Sequence, residues 1–211
     1  MLKKTLYPKT KRVSTKRRGI EITEKLDGSN LCIFRKGEQL IIAQRNNIFV
    51  WNSIEENGSQ GLYKGLYDWL QDNAKVILEN LYDGSGICGE WIQMGKISYT
   101  NSDINKKFYV FAKARLVGEE LKDYELQNIV YSQDLVPFAF IERNIPECIG
   151  LVPVVELAMT VPTKEYLDEL YIRYCEGKDR KVEGFIVNNN ESITKYVRFK
   201  NGKESEHITT E

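Results

Sequence analysis

The sequence predicts an α+β fold. Three observations carry it. Several short segments alternate apolar and polar residues at a period of two, only two segments repeat at helical spacing, and tight turn clusters join many of the strands. Ile20–Leu26 alternates and reads as a strand, and Asp27-Gly28-Ser29-Asn30 is the turn cluster after it. Leu31–Phe34 and Leu40–Ala43 flank Lys36-Gly37-Glu38, a hairpin pattern. Leu66 to Leu81 places Leu66, Trp69, Leu70, Ile77 and Leu81 on one helical face. Ile87–Ile92 and Phe108–Leu116 read as strands. A second helix starts after Pro162 with Thr163 as its cap and sets Tyr166, Leu167, Leu170, Tyr171 and Tyr174 on one face, as core packing. Val182–Val187 and Tyr196–Lys200 close the chain as two short strands. Pro146–Pro153 is the one linker-like stretch, too short to argue a domain boundary.

The chain has 211 residues, of which 42% are hydrophobic and 28% charged, so it reads as globular and long enough to bury a core. The longest apolar stretches, such as Leu151–Val155, are far too short to span a bilayer, and the basic N-terminus lacks the apolar core of a secretory signal. These features point to a cytoplasmic protein with no membrane partner. The single His, at position 207, reads as a tail residue and excludes HExxH zinc sites, Cys2His2 fingers and histidine relays from the body of the fold. Cys32, Cys88, Cys148 and Cys175 form no CxxC pair, which predicts reduced cysteines packed in the core.

Thirty basic residues balance thirty acidic ones, yet the balance is uneven along the chain. Residues 1–18 carry eight basic residues and no acid, Lys9, Lys11, Arg12, Lys16, Arg17 and Arg18 among them. The remainder holds 22 basic and 30 acidic residues, a net of −8. The expected organisation is a basic arm over 1–18 and a single domain over 19–211. Such an arm suits a polyanion, although a solvated terminus has the same composition.

The segment with most chemistry is Glu24-Lys25-Leu26-Asp27-Gly28-Ser29-Asn30. It puts a lysine at a strand end beside turn N–H groups, an arrangement that suits a phosphate. Alone, Lys-x-Asp-Gly is a weak pattern, since such lysines are usually solvated. Its successors change that. Lys25-x-Asp-Gly-Ser-Asn resembles motif I of the covalent nucleotidyltransferases, the ATP-dependent DNA and RNA ligases and mRNA capping enzymes. Gly89-Glu90-Trp91 looks like their motif III, Phe108-Tyr109-Val110-Phe111 resembles motif IIIa, Val182–Val187 resembles motif IV, and Arg198-Phe199-Lys200 resembles motif V. The five stand in order over residues 20–200. Ser29-Asn30 directly after Asp27-Gly28, and Arg45 twenty residues beyond Lys25, make the chain most similar to the phage RNA ligase 2 type.

The resemblance implies a nucleotidyltransferase domain of antiparallel β-sheets flanked by helices. It implies ATP as substrate, with AMP carried as a covalent adduct of Lys25, and Mg²⁺ or Mn²⁺ as cofactor. It assigns adenine contacts to the Glu24 backbone and stacking to Phe111, with Tyr109 as rival. It puts Arg45 and Glu90 near the ribose, Glu183 on a hydrated metal, and Arg198 and Lys200 on the α-phosphate. Ser29 and Asn30 match positions serving the nucleotide and the later steps at the RNA end. The residue types suit this chemistry: a lysine is almost fully protonated near neutral pH, and neighbouring cations lower its pKa. On residues alone, Phe111 reads equally as a packed strand aromatic and Glu90 as a surface residue. Glu183, flanked by apolar residues, is hard to explain as part of a solvated face.

Departures from the pattern are equally visible. Arg198 stands where motif V commonly has Lys, and Ala112 follows Phe111 where an acid is usual. Eleven residues follow Lys200, too few for the OB-fold of DNA ligases and capping enzymes or the helical domain of the RNA ligase 2 type. The expectation is a bare catalytic domain without an OB-fold, with a partner protein as a possible substitute for the missing part. It would seal RNA ends, with a nicked duplex as one candidate substrate. A minimal DNA ligase, a GTP-using capping-type enzyme and a non-catalytic nucleic-acid-binding module are the alternatives.

Overall fold

A computed structural model describes residues 19–52, 59–100, 102–189, 192–200 and 203–204. The basic arm, including Lys9, Lys11, Arg12, Lys16, Arg17 and Arg18, lies outside the described residues, as does His207. In chain order the elements are β1 (Ile20–Lys25), β2 (Ser29–Lys36), β3 (Gln39–Gln44), β4 (Ile48–Val50), α1 (Leu66–Asn80), β5 (Ser85–Trp91), β6 (Phe108–Val117) and β7 (Glu125–Val130). There follow β8 (Ile149–Leu151), β9 (Val154–Ala158), α2 (Lys164–Cys175), β10 (Gly184–Asn188), β11 (Ile193–Val197), β12 (Phe199–Lys200) and β13 (Lys203–Glu204). The α+β expectation holds: the sheets are antiparallel apart from a β6–β8 pairing, and among the described residues none closes into a barrel. No helix among the described residues is long and apolar enough to cross a membrane.

The chain forms two compact units, and it passes from one to the other at Asp27–Gly28. The first unit holds Gly28–Gly95 and Lys106–Leu151. Its sheet runs β4-β3-β2-β5-β6-β7, with β8 beside β6. Strand β2 is buried on both faces because its two alternating sets each meet a core. Leu31 and Ile33 join α1, Trp91 and Phe108 on one face, and Cys32 and Phe34 join Ile41, Cys88 and Ala112 on the other. On α1 the buried stripe is Leu66, Trp69, Leu70, Ala74 and Ile77, the face read from the sequence with Ala74 added and with Leu81, in extended backbone, just past the helix end. Each fully buried large side chain of that stripe contributes about 1.5–3 kcal/mol. Trp69 adds edge contacts to Trp91 and Phe108, with ring centroids 5.5 and 6.0 Å apart.

The second unit holds residues 19–27, Lys96–Asn105 and the chain from Val152 onward. Its sheet runs β11-β10-β1-β9 and packs against α2 through Ile20, Ile22, Leu167, Leu170, Phe185, Val187 and Tyr196. Thr163 caps α2 as expected, its Oγ1 accepting the Tyr166 N–H at 3.2 Å, a contact worth about 1 kcal/mol. Tyr166 itself departs from the expected core face. It is exposed, and its hydroxyl bonds Glu156. The linker-like stretch carries β8, and the chain passes between units after Leu151.

Candidate active site

Strand alternation sorts the second unit's site residues. Ile20, Ile22 and Glu24 face α2, so Lys25 points from the other face of β1. Lys25 lies opposite Gly184 in the β1–β10 register, which brings it to the residue before β10. There Lys25 Nζ meets Glu183 Oε2 at 2.5 Å, the two side chains being 22% and 13% exposed. Burial raises the Glu183 pKa, and the Lys25 charge partly offsets this. Glu183 Oε2 is buried, and among the described residues no donor meets it in aligned hydrogen-bond geometry, so the Lys25 contact is an ion pair.

The residues around this pair explain its motif partners. A Cβ on Gly184 would stand 1.9 Å from the Tyr196 carbonyl oxygen, and Gly184 has φ +153°, so glycine is required for β10 to approach β11. The Arg198 N–H donates to the Glu183 carbonyl at 2.9 Å. Asp27 is a backbone anchor. Its Oδ2 accepts the N–H groups of Lys96 and, at 2.9 Å, Ile97, while its own N–H donates to Tyr99 Oη at 2.8 Å. The Glu24 N–H donates to the Pro153 carbonyl at 2.9 Å. Arg198 bonds Asp168 of α2 through Nη1 at 2.8 Å, and its guanidinium lies 5.6 Å from the Tyr171 ring centroid. For Lys200 the backbone in β12 is described.

In the first unit, Asn30 and Glu90 are directly opposite on β2 and β5, with Asn30 Nδ2 donating to Glu90 Oε2 at 3.2 Å. They share the face of Cys32 and Cys88, and Phe111 packs on that side too. Arg45 stands exposed just past β3. Ser29 alternates to the opposite face, pairs with Trp91 and is buried, so the structure separates it from Asn30. Phe111 is the extra residue of a β-bulge: Cys88 pairs with Ala112 and Gly89 with Val110. Alternation from Tyr109 already gives Phe111 the Cys88 face, and the bulge brings Ala112 to that face as well. Phe111 is half-buried and stacked on Tyr131 at 6.1 Å, whereas Tyr109 is 5% exposed, packed against Gly150, with its hydroxyl accepting the Lys106 N–H.

Sequence reasoning missed several residues here. Tyr63 Oη donates to the Asn30 carbonyl at 2.8 Å and accepts the Arg45 N–H at 3.2 Å, tying two predicted residues together. Burial raises its pKa. Arg180 forms a buried pair with Glu24. Cys32 and Cys88, expected as reduced thiols, are opposite each other on β2 and β5 and joined as a disulfide; Cys148 and Cys175 are free.

Among the described residues no group of three or more His, Cys, Asp or Glu side chains forms a ligand cage. A lone buried carboxylate such as Glu183 nevertheless fits Mg²⁺ or Mn²⁺. Mg²⁺ keeps several waters and takes one or two protein carboxylates plus substrate phosphates.

Sheets of this kind, with a lysine at one strand end and a Glu-Gly step opening the strand opposite it, define a nucleotidyltransferase-type domain. The family model described as RNA ligase matches residues 18–201, and the chain belongs to the RNA ligase family. Among solved structures, a Naegleria gruberi RNA ligase mutant with ATP and Mn aligns at a TM-score of 0.50 and 16% identity, over 87% of this chain and 50% of that one. The Naegleria gruberi RNA ligase with PPi aligns at 0.48 and 16% identity, over 90% and 57% respectively. This chain thus spans about half the length of those it matches. At such identity the likeness of the first shows a shared fold. No curated protein sequence matches the chain.

Proposed function

We propose that the chain is an ATP-dependent RNA ligase, of the phage RNA ligase 2 type, that seals 5′-phosphate and 3′-hydroxyl ends through a covalent adduct on Lys25. The observation that carries this is the Lys25–Glu183 ion pair at 2.5 Å in a chain of the RNA ligase family. The Lys25 amine attacks the α-phosphorus of ATP, a P–N bond forms and pyrophosphate leaves. The adenylyl group passes to an RNA 5′-phosphate. A 3′-hydroxyl then attacks that end and AMP leaves.

The chain's own groups suit each need. Glu183 holds Nζ in place and, with its pKa raised by burial, is the nearest base for the proton that Lys25 must lose. Glu183 would also hold the divalent metal, which supplies positive charge against the phosphates. Phe111, half-buried on its bulge, is the better adenine stacker than the buried Tyr109. The Glu24 backbone serves the adenine. Arg45 and Glu90 serve the ribose, with Asn30 beside Glu90 and Tyr63 bracing both strands. Arg198 keeps N–H groups for the α-phosphate beyond the one given to Asp168, and Lys200 joins it. Ser29 and Asn30, on opposite faces of β2, serve the nucleotide and the later steps at the RNA end. Residues 19–211 act as one catalytic domain, and the basic arm contacts RNA phosphates.

The type assignment is supported by Ser29-Asn30 after Asp27-Gly28 and by the position of Arg45. The test is sealing of nicked RNA, nicked DNA, mixed duplexes and single strands with ATP or GTP. ATP-dependent sealing of an RNA end is the expected result. Sealing of nicked DNA alone, or labelling by GTP alone, would overturn the assignment.

A further inference from the structure

On the α2-facing side of β1, immediately behind Lys25, lies a charged cluster that the reaction above does not use. The Glu24 side chain is 0% exposed and the Arg180 side chain 3%. Arg180 Nη1 and Nη2 donate to the two oxygens of Glu24, the second at 2.7 Å, and Tyr174 Oη donates to Glu24 Oε2 at 2.7 Å. The remaining face of the guanidinium meets Asp103 through Nε at 2.6 Å and Nη2 at 3.1 Å, and Lys178 Nζ reaches the same carboxylate at 3.0 Å. The guanidinium also lies 5.6 Å from the ring centroid of Tyr99, whose hydroxyl holds the Asp27 N–H.

One side chain therefore fixes three segments. It grips the residue before Lys25. Through Asp103 it grips the 96–105 segment that anchors Asp27. It also stands three residues before Glu183, at the start of the segment that brings Glu183 to Lys25. A bidentate guanidinium–carboxylate contact constrains orientation as well as distance, which a lysine could not do. A buried pair also gives little net stability over an apolar replacement, so its retention calls for another reason.

We propose that Arg180 is a positioning residue for lysine adenylylation: through Glu24 and its own place before Glu183, it sets the alignment of Lys25 with Glu183. This rests on the lysyl-AMP reading above. Removing Arg180 alone would leave a buried unpaired carboxylate and could unfold the protein. The decisive variant is therefore the neutral double replacement Glu24→Gln/Arg180→Met, compared with Arg180→Lys and the parent. Each full-length protein is melted, then mixed with α-labelled ATP and Mg²⁺ in single-turnover experiments across ATP concentrations. The amplitude reports the folded, competent fraction, and the rate constant at saturating ATP reports alignment.

The double variant is expected to melt cooperatively and to lose at least about tenfold in the maximal rate constant, because a misplacement of about 1 Å can cost a hundredfold. Its half-saturating ATP concentration should change far less. Arg180→Lys should fall between it and the parent. A folded double variant that labels at the parent's rate constant, or one that loses amplitude alone, overturns the positioning role. A parent that never labels overturns the lysyl-AMP reading and the inference with it, an outcome distinct from the other two.

Discussion

Replacing Gly184 with alanine tests why a glycine must follow Glu183. The added Cβ would lie 1.9 Å from the Tyr196 carbonyl oxygen and 2.9 Å from Val197 Cα, all backbone that cannot swing aside. A φ of +153° adds backbone strain for any residue with a Cβ. Strain of that kind costs about 1–3 kcal/mol and overpacking a similar amount, so the combined loss is about 4 kcal/mol. For a chain of this size about 2–4 °C is lost per kcal/mol, which predicts a Tm about 8–16 °C below the parent. Relief by separating β10 from β11 would move Glu183 off Lys25, so lysyl-AMP formation should fall further than the folded fraction does. The assay is a calorimetric melt with adenylylation measured well below the variant's Tm. A Tm within about 2 °C of the parent with parental labelling would refute the argument.

Two other outcomes follow from the same geometry. Asp168 is held at a pKa of about 2, first by the Lys164 hydrogen bond and then by Tyr196. A carboxyl depressed below its unfolded value of 3.8 stabilises the fold above that value and loses this contribution as pH falls through about 2. Asp168→Asn should therefore lower the urea midpoint at neutral pH, and the gap from the parent should narrow between about pH 4 and pH 2; a gap that stays constant would count against the Asp168 contacts. The Cys32–Cys88 disulfide closes a loop with a sequence separation of 56. Loop entropy for that length gives about 4 kcal/mol, so reduction should lower the Tm clearly, and thiol titration of the unfolded, unreduced protein should find Cys148 and Cys175 alone reactive. Four reactive thiols would show that the pair is not bonded.

What the sequence made legible was local. The run Ile20–Leu26 alternates, with Glu24 as its one charged inward residue, and Ile20–Lys25 is a strand because one of its faces meets α2. The stripe from Leu66 to Ile77 and the Thr163 cap are local signals as well, and the structure carries both. Strand β7 escaped notice because its burial pattern is mostly exposed or intermediate, leaving no alternation to read. The face of Ala112 was also hidden: a bulge at Phe111 brings Ala112 to the side that Phe111 already shares with Tyr109, and nothing in Phe-Tyr-Val-Phe announces an inserted residue. Long-range pairing was the main loss. Arg180 sits in Lys178-Asp179-Arg180-Lys181, where no local pattern names a partner, and its partner Glu24 is 156 residues away. Tyr63 likewise gains its meaning from Asn30 and Arg45, both distant in sequence. Ser29 and Asn30 are neighbours in the motif, yet strand alternation puts them on opposite faces.

The central claim is that Lys25 carries the adenylyl group. Its most direct test is mass spectrometry of the protein after incubation with ATP and Mg²⁺, followed by peptide mapping of the modified residue. The account predicts a mass gain of one adenylyl group, located on Lys25, reversed by pyrophosphate and absent from Lys25→Ala. An unmodified protein, or an adenylyl group on any other residue, would contradict it.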